Sequence, residues 1–210
     1  MIQPYSADED LLQATREDGA ARIRVYRFPY KAVVLGRGSR PSLELRQEAC
    51  HTDGVKIHRR RGGGCAVVLD PGNVIVSAAL SAPGLRIADH FETLSAWLIR
   101  GLARAGVPDI VQRDISDLCL GDHKIAGACM YRARNLLFYS ASLLVDPDVR
   151  LMERYLHHPP REPEYRRGRP HAQFVTSVRG HTGLNPATLA ERLEGLLEPP
   201  DLDARSRDSG

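Results

Sequence analysis

The chain has 210 residues, of which 42% are hydrophobic and 26% are charged, a composition typical of one folded globular domain. The formal net charge of +3 is too small to indicate nucleic-acid binding by itself, and no run of about 18 apolar residues is present to span a membrane. The N-terminus lacks a basic stretch followed by an apolar core, which argues against a signal peptide and favours a cytoplasmic location.

Cysteine and lysine usage narrows the kinds of site to consider. No two of the four cysteines have the spacing of a zinc site, so the sequence predicts free, mostly buried thiols and singles out no metal ligands. They are Cys50, Cys65, Cys119 and Cys129. Only three of the 29 basic residues are lysines, namely Lys31, Lys56 and Lys124. A lysine in so arginine-rich a chain can mark a place where a compact ammonium is needed.

In the first half of the chain, short apolar strands alternate with helical segments. Helices are predicted from acidic or proline starts at residues 7–18 and 41–52, the second ended by Gly54. Strands are predicted at residues 22–28, 32–36, 65–69 and 74–80, and residues 55–57 lead into the motif at residues 58–73. The turn Asp70-Pro71-Gly72-Asn73 predicts that the last two strands form a hairpin.

The second half contains the clearest helix, at residues 88–105, where apolar residues recur at helical spacing up to Gly106. Shorter helices are predicted at residues 147–156 and from Asn185 to about Leu197. Strands are predicted at residues 109–113, 123–132 and 136–145, the last two as a hairpin. Between them and the final helix lies a long Pro- and Arg-rich loop, residues 157–171, of a kind that is often functional.

This order of elements predicts the α+β class, with a mixed or mainly antiparallel sheet covered by helices. It lacks the strict alternation of strand and helix that a doubly wound parallel sheet requires. We expect a single domain over residues 1–198 and a disordered tail over residues 199–210.

The stretch HRRRGGGCAVVLDPGN, residues 58–73, sets dense positive charge against flexible backbone. Consecutive glycines let the backbone approach a ligand, and successive amides in such a turn can bind an anion. Arginines add charge-assisted hydrogen bonds to phosphate or carboxylate. The stretch is neither a P-loop nor a dinucleotide fingerprint, because the required Gly-Lys-Ser/Thr and the following helix are absent. It predicts an anion cradle, with a basic surface turn as the simpler alternative.

A second candidate lies in SDLCLGDHKIAGACMYR, residues 116–132. Lys124 stands near the start of a strand, and Gly127 follows three residues later. Small side chains after a lysine suit an ammonium that points into an open cleft. An exposed hairpin lysine would give the same periodicity.

Together, the two stretches resemble the two signatures of the lipoate–protein ligases. These signatures read approximately Arg-Arg-x-x-Gly-Gly-Gly-Ala-Val-x-x-Asp-x-Gly-Asn and Lys-Ile-x-Gly, and here RRRGGGCAVVLDPGN and KIAGA lie about fifty residues apart. The segments ADEDLL, VVLGR, SLLVDPD and FVTSV extend the likeness over about residues 5–180. The paired signatures in this order are fairly specific, whereas either alone would be weak.

The resemblance implies the fold of the biotin- and lipoyl-ligase catalytic domain and a two-step reaction that uses ATP and Mg²⁺. Lipoate or octanoate would attack the α-phosphate of ATP to give an acyl-adenylate and pyrophosphate. A lysine of a lipoyl-carrier protein domain would then take the acyl group as an amide. The resemblance implies no tightly bound cofactor, no nucleic acid and no membrane.

The family's site residues carry over by position. Lys124 would be the catalytic residue, contacting phosphate and acyl oxygens, and Asn73 would lie at the pocket edge. The residues implied to bind ATP or the lipoyl-adenylate are Arg60, Gly63, Gly64, Cys65, Ala66, Val67, Val68, Asn73, Lys124 and Gly127.

This sequence departs from the family pattern at three places, which bear on substrate identity more than on reaction type. Cys65 stands at the family's third glycine, and other residues replace its Gln-Asn and His-Gly-Thr segments. The replacements are Gly38-Ser39-Arg40 and Tyr139-Ser140-Ala141-Ser142. Many such ligases also carry a C-terminal accessory domain, which we expect to be unnecessary here or supplied by a separate polypeptide.

Two alternatives stay open at this point. An ATP-independent octanoyl or lipoyl transferase of the same fold would use a cysteine thioester, with Cys65 or Cys129 as candidate nucleophiles. Related transferases place their cysteine in the loop corresponding to about residues 174–178, which here contains no thiol. The other alternative is a non-catalytic lipoyl-binding module. The basic residues 161–169 could meet an acidic carrier domain or be a solvated loop.

Overall fold

The computed structural model describes residues 1–81, 87–200 and 202, and its strands form two β-sheets that pack against each other. The strands are β1 (Ile2–Pro4), β2 (Arg22–Arg27), β3 (Ala32–Leu35), β4 (Lys56–Arg59), β5 (Val67–Leu69), β6 (Asn73–Ser81), β7 (Ile110–Arg113), β8 (Asp117–Leu120), β9 (His123–Ala133) and β10 (Leu136–Leu144). The helices are α1 (Glu9–Asp18), α2 (Pro41–Glu44), α3 (Gln47–Thr52), α4 (Ile87–Arg104), α5 (Val149–Tyr155), α6 (His171–Phe174), α7 (Val178–Thr182) and α8 (Pro186–Leu196).

The larger sheet has the strand order β2-β6-β10-β9-β8-β7, and all its pairs are antiparallel. The smaller sheet has the order β1-β4-β3-β5, in which only β3 and β5 are antiparallel. The prediction of the α+β class with a mixed and mainly antiparallel arrangement is confirmed.

Hydrophobic packing explains where the helices lie. One face of the larger sheet packs against α4 and α8, and alternate residues of β6 and β10 enter this main core. Leu98 of α4 is completely buried there, and Trp97 is 8% exposed, with its Nε1 donating to the Glu198 carbonyl at 2.9 Å. The opposite face packs against α1 and against the smaller sheet, through Ala79 and Ile75 of β6 respectively.

The predicted hairpin between residues 65–69 and 74–80 is wrong. The turn itself forms, since the Asn73 N–H donates to the Asp70 carbonyl at 2.9 Å. However, β5 pairs with β3 in the smaller sheet, whereas β6 lies between β2 and β10 in the larger one. Eight of the nine residues of β6 are buried, so this strand takes partners on both sides and leaves no edge for β5.

The continuous helix predicted at residues 41–52 is also wrong. Leu45 has an extended backbone between α2 and α3 and forms an isolated antiparallel bridge with Leu156. The neighbouring Arg46 N–H donates to the Tyr155 carbonyl at 2.8 Å. Leu45 is only 2% exposed, so tertiary pairing and burial outweigh the local preference for helix.

The other long elements agree with the predictions to within a few residues, including the β9–β10 hairpin and the Asn185 cap of α8. Strands β1, β4 and β8 were not predicted. Of the predicted tail, position 201 and residues 203–210 lie outside the described residues, and Leu202 packs against the main core. Within the described part of the chain, no helix has the length and apolarity needed to cross a membrane.

Candidate functional site

Arg60 folds the backbone of residues 59–66, here called the glycine loop, around its own guanidinium. Its Nη1 donates to the Val34 carbonyl at 3.0 Å, and its Nε and Nη2 donate to Gly63 and Cys65 carbonyls at 2.7–3.1 Å. Gly64 has φ +89°, and a Cβ atom there would lie 2.9 Å from the Arg60 Nη2. The loop therefore needs glycine at this position and a planar fork at its centre.

Two further groups anchor the glycine loop to residues 36–44, which follow β3. The Arg59 guanidinium donates to the carbonyls of Gly36, Arg37 and Ser39 at 2.8–3.1 Å. Glu44, which is 6% exposed, accepts from the Ala66 N–H at 2.6 Å and from the Ser39 hydroxyl at 2.9 Å. A buried carboxylate with several donors holds the chain rigidly on the far side of the loop.

The amides of the glycine loop remain available to a ligand. Within the described part of the chain, no backbone N–H of residues 61–65 donates a hydrogen bond. Gly63 and Gly64 are exposed, and a Cβ atom on Gly63 would meet no atom within 4 Å. Such a run of open amides on a rigid turn is suited to an anion.

A β-bulge turns Lys124 to the face of β9 that lies opposite the main core. The β8–β9 register shifts after the pair Leu118 and Ala126, which leaves Ile125 as the extra residue of β9. Ile125 and Ala126 then both enter the main core. In an unbroken strand, residues 124 and 127 would point to opposite faces, but the bulge brings Lys124 beside Gly127.

The Lys124 ammonium is held in place by two neighbours. Its Nζ lies 2.7 Å from Asp117 Oδ1, and the Asp117 side chain is 9% exposed. A Cβ atom on Gly127 would lie 2.8 Å from the same Nζ, so a larger residue there would displace the ammonium from its present position. Asp117 and Gly127 face each other across the β8–β9 ladder.

The glycine loop and the lysine meet the same face of β9. A Cβ atom on Gly62 would lie 2.8 Å from the Cys129 Sγ, so the loop backbone rests on this side chain. Gly127, which borders Lys124, is two residues away from Cys129 on the same face, about 7 Å along the strand. The two sequence motifs therefore border the same face of β9, and the space beside this face is here called the cleft.

Small, incompletely buried residues form the wall of this cleft. Ser140 and Ser142 lie in the middle of β10, which has a strand on each side, yet both are only partly buried. Gly127 and Cys129 on β9 are likewise partly buried. Small side chains at these positions leave space for a ligand beside Lys124.

The model of the lipoyl protein ligase A/B catalytic domain matches residues 2–198. The chain belongs to this family. Among curated relatives, it is 30% identical over 132 residues to lipoate–protein ligase 2 of Staphylococcus aureus, a match covering 61% of this chain and 38% of that protein. The chain spans about 40 to 55% of the length of the curated relatives it matches.

Solved structures show the fold of the family. A bi-partite lipoate–protein ligase from Thermoplasma acidophilum, described with its E2 lipoyl domain, superimposes with a TM-score of 0.77 at 20% identity and covers 93% of this chain and 79% of that one. A lipoate–protein ligase A bound with ATP superimposes with a TM-score of 0.73 at 20% identity and covers 91% and 81% of the two chains. The predicted biotin- and lipoyl-ligase fold is thereby confirmed.

Two residues of the first family signature, Arg60 and Asn73, form hydrogen bonds to the main chain of the protein itself. Arg60 makes four hydrogen bonds to main-chain carbonyls and so shapes the loop. Asn73 is 1% exposed; its Oδ1 accepts from the Asp70 N–H at 2.9 Å and its Nδ2 donates to the Leu143 carbonyl at 3.3 Å. Asn73 therefore stabilises the turn between the two sheets. Its side chain is buried and is not exposed at a pocket edge.

The remaining residues of the first motif follow the loop into β5. Cys65 and Ala66 precede the strand and are partly buried. Val67 and Val68 point to opposite sides of it, Val68 into the cluster with α5 and Val67 towards Phe28. Only one of the two valines can therefore border the cleft.

The four cysteines are free, as predicted. Burial raises the pKa of Cys129, although the nearby Arg60 partly opposes this, and burial also raises the pKa of Cys119. A raised pKa disfavours the thiolate that a nucleophilic cysteine needs.

Residues 157–171, here called the arginine-rich segment, pass over both motifs. The Arg161 carbonyl lies 3.7 Å from the Cys65 Sγ, and the Tyr165 hydroxyl donates to Asp117 Oδ2 at 2.8 Å. Arg169 pairs with Asp122 at 3.2 Å, and Arg166 is 4% exposed with its guanidinium over the Phe174 ring.

Sequence reasoning missed Asp117, Tyr165 and Glu44 as parts of the site. Asp117 lies on β8, and because this strand was not predicted, its pairing with Gly127 could not be seen. The only available signal was a carboxylate seven residues before Lys124 in a short strand–turn–strand segment.

Proposed function

We propose that this chain joins lipoate or octanoate to a lysine of a lipoyl-carrier domain through an acyl-adenylate made from ATP. The observation that carries the proposal is that the glycine loop and the Lys124 ammonium meet on one face of β9, and that the N–H groups of residues 61–65 have no partner in the described part of the chain. Family membership and the ATP-bound relative of the same fold support it.

In the first step, a carboxylate oxygen of the acid attacks the α-phosphorus of ATP, and pyrophosphate leaves. Negative charge builds on the phosphate oxygens, and two groups of the cleft can meet it. The glycine-loop amides are fixed in advance by Arg60 and Glu44, and Lys124 supplies a positive charge. Preorganised donors of this kind are the main source of rate enhancement in phosphoryl and acyl transfer.

In the second step, the amine of the acceptor lysine attacks the acyl carbonyl carbon, and AMP leaves with the bonding electrons. The carbonyl oxygen gains charge as the tetrahedral intermediate forms, beside the same ammonium. The carboxylate of the substrate must therefore lie next to Lys124, with its acyl chain along the wall formed by the small residues of β9 and β10.

We propose that Mg²⁺ enters with the nucleotide, because this ion keeps several waters and is usually held by substrate phosphates and one or two carboxylates. A separate accessory polypeptide stays a prediction, supported by the relative from Thermoplasma acidophilum that is described as bi-partite.

Arg161 and Arg167 are exposed and pair with no carboxylate in the described residues, so they are the candidates to meet an acidic carrier domain. The cytoplasmic location also stays a prediction.

The proposal is tested by incubating the chain with ATP, Mg²⁺, a lipoyl domain and either lipoate or octanoate, followed by intact-mass analysis of the domain. We expect one acyl group to be added and pyrophosphate to be released, both only when ATP is present. A Cys65→Ala/Cys129→Ala double variant should retain this activity. Acyl transfer without ATP that either substitution abolishes would show a thioester transferase instead, and tight binding of the acyl-adenylate without turnover would show a binding module.

A further inference from the structure

We propose that Asp117 is the positioning residue for the Lys124 ammonium and that Tyr165 couples this carboxylate to the arginine-rich segment. The inference rests on the proposed function for its catalytic consequence, but the arrangement of the three side chains is a property of the structure itself.

The carboxylate of Asp117 divides its two oxygens between two donors. Its Oδ1 lies 2.7 Å from Lys124 Nζ, and its Oδ2 accepts from the Tyr165 hydroxyl at 2.8 Å. A buried carboxylate that is held on both sides cannot rotate about its terminal torsion without breaking a charge-assisted hydrogen bond. The direction from which the ammonium is held is therefore fixed.

Tyr165 is itself held by the segment that carries it. Its ring packs against Phe174 with centroids 5.2 Å apart, and the Arg113 guanidinium lies 5.6 Å from its ring centroid. Its carbonyl accepts from Arg169 Nη2 at 3.0 Å, and Arg169 also pairs with Asp122 in the β8–β9 turn. The hydroxyl can therefore reach Asp117 only while the segment is seated on these strands.

Tyr165 remains a hydrogen-bond donor under ordinary conditions. Burial and the neighbouring Cys119 and Asp117 raise the pKa of Tyr165, which keeps the phenol protonated. The Cys119 Sγ, 3.4 Å from the hydroxyl, is only a weak partner. Asp117 is thus the strong acceptor for this proton.

The consequence for the reaction is that seating of the arginine-rich segment and placement of Lys124 are linked. Phosphate and acyl oxygens approach the face of β9 where Gly127 leaves room around Nζ. A shift of this ammonium by about 1 Å would lower the rate by on the order of a hundredfold, because the donor must meet charge that develops in the transition state.

The first test is kinetic and uses Asp117→Asn, Tyr165→Phe, the double variant, and each change in a Lys124→Met background. We expect kcat for pyrophosphate release to fall about a hundredfold in Asp117→Asn and about tenfold in Tyr165→Phe, with ATP affinity changed much less. The double variant should be no slower than Asp117→Asn alone, and neither change should slow Lys124→Met further, because all act through one ammonium.

Tyr155→Phe is the matched control, since Tyr155 also donates to a carboxylate, Asp53 Oδ2 at 2.8 Å, but outside the cleft. It should leave kcat unchanged. Unchanged kcat in Asp117→Asn, a faster Asp117→Asn enzyme, or further slowing in the Lys124→Met background would overturn the proposal.

The second test does not depend on turnover. The chain has only three lysines, so limited acetylation followed by peptide mass analysis can report Lys124 against Lys31 and Lys56 as internal references. We expect Asp117→Asn and Tyr165→Phe to increase acetylation of Lys124 severalfold and to leave the references unchanged. Equal labelling in wild type and variants would overturn the positioning role, whereas a wild-type chain that releases no pyrophosphate would overturn only the proposed function.

Discussion

The glycine loop and the strand β9 border the same cleft with different groups: the loop contributes its backbone, and the strand contributes a side chain. In the glycine loop, the side chains of Arg59 and Arg60 bind main-chain carbonyls, and the backbone N–H groups of residues 61–65 donate no hydrogen bond within the described part of the chain. On β9 the backbone pairs with β8 and β10, and the side chain of Lys124 faces outward.

The difference shows that a charged residue in a motif is not always a ligand contact. Arg60 holds the loop in a conformation in which uncharged amides can bind an anion, whereas Lys124 supplies a positive charge directly. A substitution in the loop should therefore act on folding and on ligand binding together, whereas a substitution of the lysine should act mainly on the chemical steps.

The largest effect is expected for Lys124→Ala, which removes the cation beside the reacting oxygens. Loss of one preorganised donor of this kind lowers the rate by on the order of a hundredfold or more, measured as pyrophosphate release with ATP and lipoate. Lys56→Ala is the matched control, because its Nζ lies over the Tyr30 ring at 4.4 Å, outside the cleft, and it should retain full activity. A fully active Lys124→Ala enzyme would show that the cation is dispensable.

Much of this arrangement could be predicted from the sequence. The runs of glycine and arginine indicated an anion cradle, and the open amides of the loop agree with it. The helical periodicity of residues 88–105 and the β9–β10 hairpin were also predicted, because local patterns determine them.

Features that depend on distant pairing could not be predicted. The Asp70–Asn73 turn looks like a hairpin, but β6 takes β2 and β10 as partners and excludes β5. The bulge at Ile125, which turns Lys124 towards Gly127, depends on the register of an unrecognised strand. The role of Arg60 depends on the Val34 carbonyl, which is 26 residues away along the chain.

Replacing Arg60 tests whether the loop arginine acts as a scaffold. Arg60→Lys keeps the charge but loses the planar fork, so we expect several of the four hydrogen bonds to be lost and the free energy of unfolding to fall by about 3 kcal/mol. ATP affinity, measured by calorimetry, should fall in parallel. A variant with unchanged stability and weakened ATP binding would contradict the scaffold and indicate direct contact with the ligand.

Acidification should lower the free energy of unfolding through His171, at the end of the arginine-rich segment. Burial lowers the pKa of His171 to about 4, so the folded state holds this ring neutral while the unfolded chain takes up a proton below its ordinary pKa of about 6.5. The unfolded state then binds more protons, and stability falls as the pH drops from about 6.5 towards 4, by about 2 kcal/mol at pH 5.

Chemical unfolding of wild type and His171→Gln at pH 7 and pH 5 measures this effect. The variant should lose less stability on acidification than wild type, because it has no ring to protonate at this position. Equal losses in both proteins would assign the acid sensitivity to other groups.

The smallest effects are expected for alanine substitutions at two adjacent glycines of the loop. One should lower the free energy of unfolding, and the other should weaken ATP binding. Gly64→Ala forces a side chain to φ +89° and to within 2.9 Å of the Arg60 Nη2, so it should cost about 1 kcal/mol or more in unfolding free energy. Gly63→Ala adds a methyl group that meets no atom within 4 Å, so stability should stay nearly unchanged. The same methyl group stands where the backbone must approach a phosphate, so ATP binding should weaken. If Gly63→Ala binds ATP as tightly as wild type, the amides of this loop do not lie against the ligand, and the contrast between a backbone-lined and a side-chain-lined half of the cleft is lost.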